Sequence, residues 1–140
     1  MTHPLRDLVQ EAFAPLGVLA RATDHFSPRQ GQTDMALAVA DVVAHGGSLV
    51  VEAGTGVGKT FAYLVPALLS GERVLLSTAT KALQDQLFAR DLPRLVQALN
   101  LPVRLALLKG RSSYLCTHRM EMARRDTQIP DRHTVHLLSR

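Results

Sequence analysis

Eight consecutive residues, Ala53-Gly54-Thr55-Gly56-Val57-Gly58-Lys59-Thr60, set alternating glycines beside a lysine and a hydroxyl. They fit the Walker A pattern of a phosphate loop, with Ala in the first place where Gly is more common. The chemistry such a run offers is the capture of a polyphosphate. Gly54, Gly56 and Gly58 free the backbone to turn its N–H groups toward an anion, because Cβ atoms would obstruct both positive φ angles and close approach. Lys59 supplies a point charge for β and γ phosphates, and the Thr60 hydroxyl is a ligand for Mg2+. The alternative is a glycine-rich turn between a strand and a helix that holds nothing. Hydrolysis asks for more, namely an acidic residue to hold the metal and a group to orient water. No apolar strand ending in adjacent acidic residues occurs in the sequence.

The elements that must position this loop are legible on both sides of it. SLVVE at 48–52 is a short β-branched run without alternation, as a parallel strand buried on both faces requires. A helix from about 59 to 70 follows, ended by Gly71, and RVLLSTA at 73–79 repeats the buried-strand pattern. KALQDQLFARD continues as a helix. Asp91 is placed to cap another that holds Leu92, Leu95, Val96 and Leu99, and VRLALL at 103–108 reads as a third strand. Upstream, residues 5–20 carry apolar side chains at helical spacing, closed by Pro15 and Gly17. Met35, Val39, Val42 and Val43 share one face of a second helix that Gly46-Gly47 stops. Downstream, a capped helix is expected from Ser112 to about Arg125, then a turn at Ile129-Pro130-Asp131. HTVHLLSR at 133–140 opens an apolar pattern that stops with the last residue. The order β-loop-α-β-α-β predicts an α/β fold with a parallel sheet flanked by helices.

Composition narrows the class. At 140 residues with 46% apolar side chains, one hydrophobic core is within reach. No apolar stretch approaches the roughly 18 to 20 residues that cross a bilayer, and the first residues lack a secretory-signal layout, so a soluble cytoplasmic protein with no membrane partner is expected. The net charge of +4 is uneven: residues 1–100 carry 8 basic against 9 acidic side chains, and residues 101–140 carry 8 against 3. Arg104, Lys109, Arg111, Arg119, Arg124 and Arg125 either attract a polyanion such as DNA or form a solvated basic surface. There is no Trp, and base-stacking platforms are not visible. Cys116 is the single cysteine, which excludes an internal disulfide and leaves metal ligation, redox chemistry or packing open. A zinc site with His118, His133 and His136 has irregular spacing.

Three segments in order, VVEAGTGVGKTFAYLVPAL, LLSTATKALQDQL and ALLKGRSSYLC, resemble the N-terminal motor domain of DinG/XPD-like superfamily-two DNA helicases, within them the bacterial YoaA branch. The resemblance spans roughly residues 25 to 120. It implies a partial RecA-like P-loop NTPase domain, incomplete at the C-terminus, that uses ATP and Mg2+ and translocates on single-stranded DNA, 5′-to-3′, in repair or replication. Residues 1–24 then form a lead-in helix, 25–110 the first part of the ATP-binding domain, and 111–140 the start of an iron–sulfur insertion.

Residue by residue, the resemblance places Arg29 and Gln32 of FSPRQGQTDM in a nucleotide-recognition motif, with the Gln32 amide reading the adenine edge. Read by itself, Gln32 is equally an exposed residue at a helix start. Thr78, Thr80, Lys81 and Gln84 match a segment that grips the backbone of the translocated strand, with Arg111 beyond it. Thr78 and Thr80 also suit a helix cap. Cys116 matches the first of four thiolates of a [4Fe-4S] cluster, of which this sequence has one; taken alone it reads as a small buried hydrophobe. The metal-binding acidic box, the other cluster cysteines, the arginine fingers and the second motor lobe of the family are absent from these residues. The 140 residues by themselves are therefore expected to bind ATP without completing hydrolysis, and to fold marginally, because the strand entering the loop lacks neighbours. A non-catalytic nucleotide- or DNA-binding module and a small-molecule kinase are the competing classes.

Overall fold

The structure, a computed structural model, describes residues 4–22, 26, 27 and 29–125. They fall into two units divided between Leu105 and Ala106. The expected turn at Ile129-Pro130-Asp131 and the segment with His133 and His136 lie outside the described residues.

The first unit is built from helices. Helix α1 spans Pro4–Ala12, and a turn through Pro15 and Gly17 leads to a short α2, Val18–Ala22. The single helix expected over 5–20 is therefore two. The α1 backbone ends at a close approach: a Cβ on Gly17 would sit 2.4 Å from the Glu11 carbonyl oxygen, so only glycine permits the reversal. Helix α3 runs Gln30–His45 and is stopped at Gly46, where φ is 78°. Its inward stripe is Gln32, Ala36 and Ala40, spaced by four residues. The small alanine side chains let α3 lie close along α4, Lys59–Leu69, and this is the most extensive helix pairing in the unit. Met35, Val39, Val42 and Val43 form a neighbouring face that borders an open groove of about 390 Å3, walled opposite by Leu49, Val51 and Tyr63.

Lys81–Gln86 (α5) and Leu92–Leu99 (α6) are joined by a π turn, Leu87–Asp91. Asp91 has helical φ and ψ and makes no capping bond, so the chain continues where a cap and a new start were expected. The extra residue in the π turn brings Leu87 and Asp91 to the buried side together with Leu92 and Leu95. The Asp91 carboxylate is held there by Gln86 Nε2 at 3.0 Å and Arg90 Nε at 2.9 Å. Asn100 in the left-handed region closes α6, with Leu101 N–H donating to the Val96 carbonyl at 3.2 Å. The core joins Leu5, Val9 and Phe13 with Leu19, Leu64, Val65, Leu68 and Leu95.

No strand is formed among the described residues. The runs 48–52, 73–79 and 103–108 follow the predicted order but carry no ladder of hydrogen bonds, and the parallel sheet expected of them is not assembled. Their apolar side chains are correspondingly open, with Val50 96%, Leu75 91% and Leu108 81% exposed. A strand is not self-sufficient: its N–H and C=O groups need a partner chain, whereas a helix satisfies its own.

The second unit contains a 3-10 turn at Arg111–Ser113 and helix α7, Thr117–Arg125, which starts later than the predicted Ser112. Within it, Lys109 N–H donates to the Tyr114 hydroxyl at 2.9 Å, and α7 buries no residue.

Candidate functional site

The stripe that packs α3 on α4 begins with Gln32, and this explains where its side chain goes. At 5% exposure its amide is buried against the start of α4, and Nε2 donates to the Gly58 carbonyl at 2.9 Å. One turn earlier, Arg29 donates from Nη1 to the Gly56 carbonyl. Two side chains from the first turn of α3 thus clasp two alternate carbonyls of the glycine loop.

The consequence follows from peptide geometry. Across a trans peptide the C=O of one residue and the N–H of the next point in opposite directions. Fixing Gly56 O and Gly58 O toward α3 turns the N–H groups of Val57 and Lys59 away from it. Gly58 O also accepts from Ala62 N–H at 3.3 Å, the first bond of α4, so the Lys59 N–H is one of the unpaired donors at the helix N-terminus. These donors sit at the positive end of the helix dipole. The loop can adopt this shape because Gly56 and Gly58 have φ of 80° and 87°. At Gly58 there is a second reason: an added Cβ would fall 2.1 Å from Gln32 Nε2. Nothing stands within 4 Å of a Cβ built on Gly54 or Gly56, where the loop is open.

Lys59 crosses the loop. Its ammonium donates to the Ala53 carbonyl at 2.7 Å and the Gly54 carbonyl at 2.6 Å, tying the entrance of the loop to the helix it opens. Two of three ammonium protons are engaged in this way. Thr60, half-buried, is the second residue of α4. Val57 lies 4.0 Å from where a Cβ of Gly31 would be, so α3 approaches the loop closely on that side too. The arrangement fits a chain of phosphates: a concave backbone, a helix N-terminus, a cation and a hydroxyl on one side of α4.

The other predicted residues fall elsewhere. The Thr80 hydroxyl accepts from Leu83 N–H at 3.3 Å and caps α5, and the Thr78 hydroxyl donates to the Thr80 carbonyl at 3.3 Å. Lys81 is exposed and Gln84 half-buried on the same first turns. Arg111 and Cys116 belong to the second unit, both exposed, and the Cys116 carbonyl accepts from Met120 N–H at 2.9 Å. Among the described residues no group of three His, Cys, Asp or Glu side chains is placed to hold a metal. One thiolate does not hold a four-iron cluster. What the sequence reading missed is the clasp itself. Its signal was present as Arg29 and Gln32 three apart, followed by alanines at four-residue intervals from Gln32.

A glycine loop closed onto the first turn of a helix, with an ammonium across its mouth, has the geometry to receive a phosphate. The chain belongs to the DEAD/DEAH box helicase family, which residues 33–129 match, and membership implies a RecA-like fold. It is 56% identical over 109 residues to the ATP-dependent DNA helicase YoaA of Escherichia coli, covering 78% of this chain and 17% of that protein. It is 53% identical over 100 residues to the ATP-dependent helicase DinG of Mycobacterium tuberculosis, covering 66% and 15%. With the 3'-5' exonuclease DinG of Bacillus subtilis it shares 39% over 100 residues, covering 69% and 11%. The chain spans less than a fifth of the length of these relatives.

Proposed function

We propose that these residues are the ATP-binding front of an ATP-dependent DNA helicase that moves 5′-to-3′ on single-stranded DNA in repair or replication. The observation that carries this reading is the clasped loop, in which Lys59, the α4 N-terminus and the carbonyls fixed by Arg29 and Gln32 together shape an anion cradle. In this reading the N–H groups from Gly54 through Thr60 and the Lys59 ammonium take the triphosphate, and the Thr60 hydroxyl takes Mg2+. Gln32 has one N–H on Gly58 O; its amide oxygen and second N–H form the acceptor and donor pair that complements adenine N6 and N7. Thr78, Thr80, Lys81 and Gln84 form a polar patch at the start of α5 that suits phosphates of the tracked strand, and Arg111, in the second unit, is a separate candidate for a phosphate contact. Cys116 is one thiolate offered to an iron–sulfur cluster that takes its other ligands from outside these residues. The runs at 48–52, 73–79 and 103–108 are the strands of the RecA-like sheet, formed where their ladder partners are supplied. No described helix is long and apolar enough to cross a membrane, which accords with a cytoplasmic site of action.

The test has two stages. Calorimetry of ATP with Mg2+ on the 140-residue chain and on its Lys59→Ala variant measures the cradle; equal affinities remove the basis of the proposal. Phosphate release with and without single-stranded DNA, on this chain and on a protein of the relatives' length, measures the motor. Stimulated turnover by the longer protein alone is the expected result, and ATP binding without turnover in both points to a non-catalytic module. Duplexes with a 5′ or a 3′ tail assign direction, and release of mononucleotides would mark an exonuclease of the kind named in Bacillus subtilis.

A further inference from the structure

Helix α1 lies upstream of the stretch that matches the family, residues 33–129, and yet it packs on both helices that make the site. It touches α3, which carries the clasp, and α4, which carries the loop. Two specific contacts fix its course. Arg6, near the start of α1, pairs with Asp41, near the end of α3. Phe13, just past the end of α1, meets Phe26 with ring centroids 6.4 Å apart and planes tilted by 51°. Phe26 stands three residues before Arg29, so α1 runs antiparallel to α3 and is pinned at both ends. Leu5, Val9, Ala12 and Phe13 fill the space between, all of them buried.

We infer that α1 and Phe13 are a positioning element for the nucleotide cradle, setting how closely the Arg29 and Gln32 donors on α3 approach the loop that opens α4. The physical argument is one of tolerance. A hydrogen bond weakens steeply when donor and acceptor separate beyond about 3.2 Å, and Gln32 already reaches Gly58 O at 2.9 Å. The clasp therefore survives only small changes in the spacing of α3 and α4. The residues that α3 buries are Gln32, Ala36 and Ala40, and the two alanines permit a close approach while presenting no long side chains to stop one helix sliding along the other. An element seated on both helices resists that slide. The Phe13 and Phe26 contact adds a direct link to the segment from which Arg29 and Gln32 project. The effect passes through the triphosphate cradle, and through Gln32 it reaches the recognition of the base as well.

This inference rests on the reading of the loop as a triphosphate site, and its test is arranged so that the two can fail separately. Affinities for ATP, GTP and inorganic tripolyphosphate are measured on the 140-residue chain, with Lys59→Ala as the control for the cradle. Five changes probe the contacts of α1 and Phe13: Phe26→Ala, Phe26→Leu, Arg6→Asp, Asp41→Arg, and the paired charge swap Arg6→Asp with Asp41→Arg. Melting curves taken alongside establish that each variant is folded at the temperature of measurement. The expected result is a loss of about three- to tenfold in affinity for all three ligands, tripolyphosphate included, with Phe26→Ala and with each single charge reversal, matching the loss of one hydrogen bond's worth of preorganisation. The swapped pair regains the original affinity, and Phe26→Leu regains most of it. A folded Phe26→Ala that binds tripolyphosphate as tightly as the parent overturns the inference, as does a charge swap that restores melting but not affinity. If the parent and Lys59→Ala bind equally weakly, the triphosphate reading falls and the inference falls with it.

Discussion

Gln32 and Gly58 are locked together: the buried amide of Gln32 donates to the Gly58 carbonyl at 2.9 Å, and the place where a Gly58 Cβ would stand is 2.1 Å from that same nitrogen. Glycine is required here twice, once for φ of 87° and once for the amide above it. Gly58→Ala is expected to destabilise the chain by about 1–2 kcal/mol from backbone strain alone and to displace Gln32 from the loop. Adding Gln32→Ala to Gly58→Ala removes the clash but not the strain, so part of the stability returns and nucleotide affinity does not. Denaturant melts and calorimetry on the single and double variants measure both.

Lys59 holds two carbonyls of its own loop, and this contact is exposed on the Gly54 side. Bonds of that kind contribute little to folding, so Lys59→Ala is expected to leave the melting midpoint nearly unchanged. Its effect falls on ligand binding, with ATP affinity reduced by about tenfold or more, or 1.4 kcal/mol at least. Lys59→Arg is not expected to substitute, because a planar fork does not present the compact charge that the crossing of this loop accommodates. A Lys59→Arg variant with parental affinity would show that charge alone suffices.

Gln32 is proposed to serve the loop and the base at once, and the two roles have different signatures. Gln32→Ala is expected to weaken ATP binding by about two- to tenfold, the range for a lost hydrogen bond or two. The preference for ATP over GTP should narrow in the same variant. If affinity falls equally for both nucleotides, the amide serves the loop only, and base recognition lies elsewhere.

The helices were legible because their signals are local. Gly46 after a periodic apolar stretch marked the end of α3, and Gly71 marked the end of α4 to within two residues. The phosphate loop was legible for the same reason, since its glycines, Lys59 and Thr60 are contiguous. Four features were not. The clasp joins residues 26 and 27 positions apart, and a sequence displays no such distance. The π turn at Leu87–Asp91 has no residue signature, and a polar Asp91 beside Leu92 read naturally as a cap until its carboxylate proved to be buried against Gln86 and Arg90. The inward stripe of α3 is small and partly polar, whereas the more hydrophobic Met35 and Val39 face borders the open groove, so apolar periodicity alone does not mark the stripe that is buried. The runs 48–52, 73–79 and 103–108 read as strands from side-chain type alone, but a ladder needs a neighbour that side-chain type does not supply.

Thr80 separates a structural role from a ligand-binding one at the start of α5. Its hydroxyl accepts from Leu83 N–H, so Thr80→Ala is expected to cost about 1 kcal/mol, read by denaturant unfolding. Thr80→Asn keeps a capping acceptor without the hydroxyl and should be close to neutral for stability. Binding of single-stranded DNA then isolates the contact proposed for this patch: a loss seen with Thr80→Asn at parental stability, at a salt concentration held constant, assigns it to the hydroxyl, and parental binding by Thr80→Asn leaves the residue with its cap alone.

Val50 tests the state of the segment that feeds the loop. In a parallel sheet covered by helices, a Val at this place is enclosed on both faces, and a lysine there would leave a buried unpaired charge at a cost of several kcal/mol. In this structure Val50 is 96% exposed and its neighbours Leu49 and Val51 are 40% exposed. Val50→Lys is therefore expected to change the stability of the 140-residue chain by no more than about 0.5 kcal/mol, as surface substitutions do. Leu75→Lys, at a residue 91% exposed, should behave alike. Both changes place a charge on an apolar run that is otherwise free to pair with another chain, so aggregation at high protein concentration should fall. In a protein of the relatives' length the same Val50→Lys should be strongly destabilising, because there the ladder partners are supplied and the strand is enclosed. Parallel melts of the two lengths decide it: a severe loss in the short chain means that the sheet is already assembled within these residues, and tolerance in both means that 48–52 never becomes a central strand.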